Sequence, residues 1–271
     1  MANPGAYGVG RPFTIPIEID FPRRVAFGQI PGASIVTIMG HNGDIDAGTV
    51  PEDIWEGGGV YPFQSAAVSL ELVSTDIDDT AAGTGARTIR VETLDGNYSP
   101  VTQTVTMNGT TPVALTGTHL RVNKVQVITS GTSETNEGVI TLRVPGPGDT
   151  LAVIDNNGGV IGDGIAHNGI YTVPSGFRFL FIYNHVNILK TATDNAQILF
   201  RIRPFGESWR VANQWGPAST GGSSVSSESP ATPMQSEKTD IRYTVSSVSA
   251  NNIGVNCFGV GLLIPNSFFR G

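Results

Sequence analysis

Residues 86–115 read ARTIRVETLDGNYSPVTQTVTMNGTTPVAL, and this stretch decides the fold class. Apolar and polar side chains alternate at 89–92 and again at 104–107. Alternation of this kind, with many threonines, is typical of β-strands that bury one face. The pair Asn108-Gly109 directly follows the second run and predicts a hairpin turn with a return strand through 113–115. The stretch therefore predicts antiparallel β-structure.

The same pattern continues in both directions and predicts an all-β protein. The chain has 271 residues, of which 34 are glycine and 14% are charged, and this composition favours strands and turns over helices. The segment Pro145-Gly146-Pro147-Gly148 breaks both helix and strand and predicts a domain boundary. We predict two antiparallel β-sandwich domains of jelly-roll-like type, at 31–145 and 149–271, preceded by an extended N-terminal arm at 1–30.

Two local signals fall inside the first predicted domain. Thr49 and Glu52 have the spacing of a capping box, and Gly57-Gly58-Gly59 follows, so this segment predicts one short helix. The apolar residues change parity within 120–129, which predicts a bulge or bend near Asn123.

Two further signals fall inside the second predicted domain. Residues 177–182 are apolar on both faces, which predicts a central strand that is covered on each side. Residues 216–238 are rich in Gly, Ser, Thr and Pro, which predicts a long loop.

The predicted N-terminal arm combines prolines with alternating apolar residues. Each proline removes a backbone donor, so the segment cannot form a central strand. An extended conformation would leave one apolar edge, and we predict that this edge docks on another subunit or another protein. An edge strand of its own domain is the alternative. The predicted docking residues are Phe13, Ile15, Ile17, Ile19 and Phe21.

The charge and cysteine content narrow the class of protein. The formal net charge is −7 and the basic residues form no cluster, whereas wrapping nucleic acid requires clustered cations. The single cysteine, Cys257, lies in an apolar run and is predicted to be a small buried side chain. No secretory leader and no apolar run near the roughly 18 residues that span a bilayer is visible. We therefore expect neither nucleic acid nor membrane as a partner.

The residues that could carry chemistry form no recognisable catalytic motif. His41, His119, His167 and His185 lack the i, i+2 or i, i+4 spacing that places two histidines on one side of a site, so no metal site is predicted. No serine lies in a strand–turn–helix elbow, so we predict no catalytic residue, no cofactor and no enzymatic activity. The clustered aspartates indicate turns in preference to a Ca²⁺ loop or a glycosidase pair. These aspartates are Asp44, Asp46, Asp76, Asp78 and Asp79.

Two longer segments carry a resemblance to a known family. Residues 40–58 read GHNGDIDAGTVPEDIWEGG, and residues 78–91 read DDTAAGTGARTIRV. Together with Leu94-Asp95, 108–113 and Arg121-Val122, they resemble a family of tailed-bacteriophage virion structural proteins of the neck, tail or head-fibre kind, common in marine and cyanobacterial phages. The resemblance covers roughly 30–145 and continues weakly through 171–176. It implies a component of the virus particle and transfers no functional residue.

These observations predict a non-enzymatic structural component of a tailed-phage virion, such as a fibre, neck or tail-associated protein. The expected partners are further copies of the chain, in a homotrimer, and other virion proteins of the neck, portal, capsid, tail or baseplate. The expected location is the virion, assembled in the host cytoplasm. A capsid decoration protein is one alternative, and a depolymerase is a weaker one. Another is a host-receptor or glycan-binding module that uses Trp209 and Trp215 as stacking surfaces.

Overall fold

The computed structural model describes residues 21–146, 148–189, 193–220, 223–228 and 234–269. Strands dominate, and the described helical segments are α1 (Phe21–Ala26) and two short 3₁₀ turns at Asn157–Gly159 and Asn266–Phe269. None of these helices is long enough to cross a bilayer. The predicted all-β class is confirmed. The strands are β1 (Ser34–Ile45), β2 (Glu52–Asp53), β3 (Glu71–Ser74), β4 (Ala86–Leu94), β5 (Pro100–Thr106), β6 (Val113–Ala114), β7 (Arg121–Ser130), β8 (Ile140–Arg143), β9 (Thr150–Ile154), β10 (Ile170–Thr172), β11 (Phe177–Ile188), β12 (Thr193–Arg203), β13 (Arg210–Trp215), β14 (Ala218–Thr220), β15 (Ser223–Glu228), β16 (Asp240–Val248) and β17 (Ile253–Pro265).

Two antiparallel sheets surround one apolar core, and we call this part the outer unit. One sheet has the order β1-β17-β11-β15, and the other has the order β10-β16-β12-β13, with β2 paired to β16 and β14 paired to β12. The core contains a series of aromatic rings in contact, from Phe179 through Phe181 and Phe200 to Tyr243. Gly261 makes room for them, because a Cβ there would lie 2.2 Å from Phe179.

Two smaller sheets surround a second core, and we call this part the inner unit. Their strand orders are β6-β3-β8-β9 and β5-β4-β7. Leu72 and Leu142 of the first sheet and Ile89 and Val125 of the second are fully buried between them. The inner unit lies in the chain between β2 and β10 of the outer unit. Each core is lined by two antiparallel sheets, and the jelly-roll connectivity remains a prediction.

The two cores do not follow the predicted division at 145–149. Strand β1 was placed in the first domain, yet it pairs with β17 over nearly its whole length. Strand β9 was placed in the second, yet it pairs with β8. The described residues 145, 146 and 148 therefore lie between paired strands, where Val144 N donates a hydrogen bond to Asp149 O. Local turn signals cannot tell a hairpin from a linker, because the distinction depends on the distant partner of each strand.

The described part of the predicted arm is not extended. Phe21 and Val25 lie one turn apart in α1 and pack with Ile30 against Leu262 and Ile264 of β17. The prolines predict an extended arm, but burial of these apolar side chains against β17 of the outer unit stabilises a helix in the described part. The other predicted docking residues, Phe13, Ile15, Ile17 and Ile19, lie outside the described residues.

Three other local predictions are corrected by long-range pairing. Residues 52 and 53 form strand β2 against Thr244 and Val245 in place of a helix, although the Thr49 hydroxyl still bonds to Glu52. After Asn108-Gly109 the chain crosses to the other inner sheet, where β6 pairs with β3. The predicted loop 216–238 contains β14 and β15, and β15 pairs with β11.

Other local predictions are confirmed. The register between β4 and β7 shifts at Asn123, whose side chain instead pairs with the backbone N and O of Thr172. Phe179 is buried in the outer core, while Leu180 packs on the α1 side of the same strand, as expected for a strand covered on both faces. Cys257 is buried and forms no disulfide.

Candidate functional site

A buried charged network joins the inner unit to the outer unit. Arg121 of β7 donates to both oxygens of Asp240 of β16, at 2.7 and 3.1 Å. Arg203 of β12 also donates to Asp240, at 2.6 Å, and the Thr172 hydroxyl completes the set at 2.7 Å. Asp240 and Arg121 are almost fully buried, and burial opposes the charge of Arg121 while Asp240 favours it, so that the pKa of the guanidinium is raised. The carboxylate therefore holds the two units in one arrangement.

A second buried aspartate reinforces the same junction. Asp53 of β2 accepts hydrogen bonds from the Arg242 guanidinium, from the Thr244 hydroxyl and from the backbone N of Tyr61. Desolvation raises the pKa of this carboxyl, and Arg242 opposes the rise. Strand β2 thus links the sheet of the outer unit that contains β16 to Tyr61 of the inner core.

The two tryptophans proposed as ligand platforms are not brought together. Trp215 is buried in the outer core and stacks on Tyr243, so its ring is not available to a ligand. Trp209 lies at the other end of β13 and is half-buried, with Arg242 4.2 Å and Arg203 4.8 Å from its ring centroid. Trp215 is therefore a core residue, whereas Trp209 packs over the arginines of the charged junction.

A groove of about 300 Å³ lies beside this junction. It presents aromatic rings together with cationic side chains, and Lys238 lies 5.1 Å from the Phe205 ring and 5.6 Å from the Tyr98 ring. Aromatic faces next to cations suit an anionic or sugar ligand. Its ring and cation lining consists of Phe63, Tyr98, Phe205, Arg121, Arg203 and Lys238.

Of the five aspartates predicted to occupy turns, four lie in or next to turns and bends, whereas Asp44 lies within β1. Asp79 is fully buried, and its two oxygens accept from the Ser74 hydroxyl and from the backbone N of Ala86, Glu137 and Gly138. Asp46 accepts from the backbone N of Asn252, and Asp76 from that of Asp78. These carboxylates are used to fix loops.

The structure brings three of the four histidines to one cavity of about 410 Å³. The backbone N of His41 donates to the carbonyl of His167 at 3.3 Å, which places the two residues side by side. Gly40 permits this approach, because a Cβ there would lie 2.7 Å from the Cα of Gly169. His185 of β11 also lines the cavity. Three histidines therefore line one cavity although their spacing in the sequence does not predict it.

Two carboxylates meet the histidines at the edge of this cavity. His41 Nδ1 lies 2.5 Å from Glu56 Oε1, and His167 Nδ1 lies 3.2 Å from Asp163 Oδ2 and 3.7 Å from Glu56 Oε1. The Glu56 carboxylate raises the pKa of both imidazoles against the opposing effect of burial. Burial raises the pKa of Glu56, but the two histidines reverse this and leave it lowered. This His/carboxylate cluster is the strongest candidate for ion binding among the described residues.

Sequence reasoning missed this cluster because its members lie at 41, 56, 163 and 167. No two histidines have the spacing of a metal site, and the local signal here is a mixed one, Asp163 and His167 four residues apart. That spacing is common in glycine-rich loops and does not by itself indicate a site. The pairing of β1 with residues 167–169 is what brings His41 next to His167.

The fourth histidine, His119, gives a prediction for the pH dependence of stability. It is buried, its Nδ1 lies 2.8 Å from the Thr93 hydroxyl, and its Nε2 has no hydrogen-bond partner among the described residues. Burial lowers the pKa of this imidazole. The unfolded chain, with a histidine pKa of about 6.5, therefore takes up the proton first as the pH falls. Stability from this group is complete above that pH and is lost below it.

His119→Asn should accordingly reduce the loss of unfolding free energy between pH 6.5 and 5. The reduction is at most about 1.4 kcal/mol per pH unit, which is the slope for one proton. Urea unfolding at a series of pH values measures the free energy of unfolding of wild type and variant. The difference between the two at pH 8 serves as the baseline. Parallel curves for wild type and variant would contradict the assignment.

Comparisons with known proteins identify no family. No protein-family model matches the chain, and no curated protein matches it. Among solved structures, the PBSX exported protein XepA is 10% identical with a TM-score of 0.20, over 85% of this chain and 86% of that chain. The infectious bursal disease virus T13 viral particle is 10% identical with a TM-score of 0.21, over 91% and 75%. The VP2 subviral particle of that virus is 11% identical with a TM-score of 0.20, over 93% and 79%. Scores this low establish no shared fold, and the family resemblance read from the sequence stays a prediction.

Proposed function

We propose that this protein is a non-enzymatic structural component of a tailed-phage virion, of the fibre, neck or tail-associated kind. The observation that carries the proposal is the junction between its two units. The buried Arg121–Asp240 ion pair and the hydrogen bond from Tyr61 N to Asp53 connect the units, in addition to the chain crossing between them twice. Geometry of this kind suits a rigid β-module that transmits force within an assembly. We also propose that the two sheets of each unit pack face to face as a β-sandwich.

An exposed aromatic surface supports docking to other virion proteins. Phe27, Phe268 and Phe269 are 75%, 48% and 39% exposed, and the Phe268 ring lies 5.5 Å from that of Phe21. We call Phe268 and Phe269, whose ring centroids lie 5.6 Å apart, the terminal face. Exposed aromatic clusters are typical of protein interfaces. The face lies where residues 1–20 join the fold, so the proposed docking arm would begin there.

Symmetric self-association, with three copies as the proposed number, is the second part of the function. Among the described strands, β13 lies at the edge of its sheet, its residues 210–214 are all exposed, and Val211 is 52% exposed. An open edge of this kind is a surface that a further copy can cover.

A host-receptor or glycan-binding module is the second candidate function. The aromatic and cationic groove beside the junction favours it, whereas the buried Trp215 does not. A capsid decoration role has no separate support.

The test is the presence of the chain in purified phage particles, measured by quantitative mass spectrometry and located by immunogold labelling. We expect a fixed copy number per particle and labelling at one position. Absence from the particles would refute the virion role. Light scattering of the purified full chain should give three times the mass of one chain, and a monomer at all concentrations would contradict the trimer. Labelling at the host-contacting tip together with binding to host glycans would favour the second candidate.

A further inference from the structure

Three side chains from distant parts of the sequence converge at the edge of the histidine cavity. Potential ligand atoms of Glu56, Asp163 and His167 all lie within 4.8 Å of one another. Glu56 follows β2, whereas Asp163 and His167 belong to the connection between β9 and β10. A carboxylate pair and one imidazole at this separation have the composition of a transition-metal site.

Each carboxylate is held in place by a hydrogen-bonded neighbour. His41 Nδ1 bonds to Oε1 of Glu56. Asn157 Nδ2 donates to Oδ1 of Asp163 at 2.7 Å, so that Oδ2 is the oxygen turned toward His167. Outer hydrogen bonds of this kind orient carboxylate ligands in known metal sites.

His167 contacts both carboxylates without forming a well-aligned hydrogen bond to either. Its Nδ1 is buried and lies 3.2 Å from Asp163 Oδ2 and 3.7 Å from Glu56 Oε1, but neither contact among the described residues has the geometry of a hydrogen bond. A buried polar atom normally has a partner. On the cavity side, Oδ1 of Asn256 is also buried and without a hydrogen-bond partner within the described ranges.

We propose that Glu56, Asp163 and His167 bind one divalent transition-metal ion, with Zn²⁺ as the representative, and that His41 positions the Glu56 carboxylate. The imidazole nitrogen favours Zn²⁺ over Ca²⁺ and Mg²⁺, which prefer oxygen ligands. Water or a side chain of a partner would fill the remaining coordination position. The ion connects the segment after β2 to the β9–β10 connection, and the inference is independent of the proposed virion role.

The experiment is a calorimetric titration of the full chain with ZnCl₂ after treatment with EDTA and dialysis. We expect one Zn²⁺ per chain, with Ca²⁺ and Mg²⁺ failing to compete. The variants Glu56→Gln and His167→Gln should each weaken binding by at least about 100-fold, and His41→Gln should weaken it by about 10- to 100-fold as an outer-partner effect.

The matched control is His185→Gln, because His185 lines the same cavity without belonging to the three-ligand group. Its affinity should equal that of the wild type. Visible absorption of the Co²⁺-loaded protein should show the strong bands of low coordination number and lose them in His167→Gln. Circular dichroism checks that each variant is folded. No stoichiometric binding by the wild type, or binding that survives both ligand substitutions, would overturn the proposal in favour of a metal-free ion-pair cluster.

Discussion

Asp240→Asn should lower the free energy of unfolding by about 3–5 kcal/mol, because it leaves a buried arginine without its counter-charge. In the wild type the two oxygens of the Asp240 carboxylate accept hydrogen bonds from Arg121, Arg203 and the Thr172 hydroxyl. Asparagine keeps the shape but offers one acceptor oxygen and no charge. Urea unfolding followed by tryptophan fluorescence measures the loss.

A double-mutant cycle identifies the cause. Arg121→Met alone should also be costly, since Asp240 stays buried with only the more exposed Arg203. The double variant should lose less than the sum of the two, because removing both charges leaves less uncompensated charge inside. Additive losses would contradict the ion-pair explanation. The exposed pair Arg90–Glu92 is the matched control, and Glu92→Gln should cost no more than about 1 kcal/mol.

Asp79→Asn should destabilise the inner unit by about 3 kcal/mol or more, because buried donors to a charged acceptor lose their partner. Three backbone N–H groups and the Ser74 hydroxyl point at the Asp79 carboxylate. The asparagine NH₂ would direct its own donors at two of them. The pocket cannot relax easily, since a Cβ on Gly85 would already lie 2.2 Å from Asp79 Oδ1. The change in urea midpoint, followed by tryptophan fluorescence, to which Trp55 of the inner core contributes, reports this loss.

Asp78→Asn is the control for the Asp79 prediction, since Asp78 is the exposed neighbour in the same loop. It should change stability by less than about 0.5 kcal/mol. Equal effects of the two substitutions would mean that general loop charge, and not the buried acceptor, stabilises this segment.

The sequence predicted features that depend on near neighbours. The alternation at 89–92 lies in β4, and that at 104–107 lies in β5 and the residue after it, and the two strands pair with each other. The parity change at 120–129 is the bulge at Asn123, and the two-sided apolar run at 177–182 lies in a strand covered on both faces. In each case the deciding information is the side-chain period within one strand.

Features that depend on distant partners were not predictable in this way. Asn108-Gly109 has the chemistry of a hairpin, yet the strand after it pairs with β3, because Leu72 and Val113 lie opposite each other there. The cluster of Glu56, Asp163 and His167 exists only because the backbone of β1 pairs with residues 167–169. No local pattern contains that pairing.

The pairing of β1 with β17 also has a consequence for biosynthesis. Ser34 lies opposite Leu263, so the partner of β1 leaves the ribosome more than 200 residues later, after about 10–45 s at ordinary elongation rates. The inner unit, whose core ends near Ile170, is synthesised well before that and can close first. Until β17 is synthesised, the apolar residues of β1 remain without their partner strand on the nascent chain. A premature stop before residue 253 would release a polypeptide with a finished inner unit and a permanently unpaired β1, which is a substrate for chaperones and proteases.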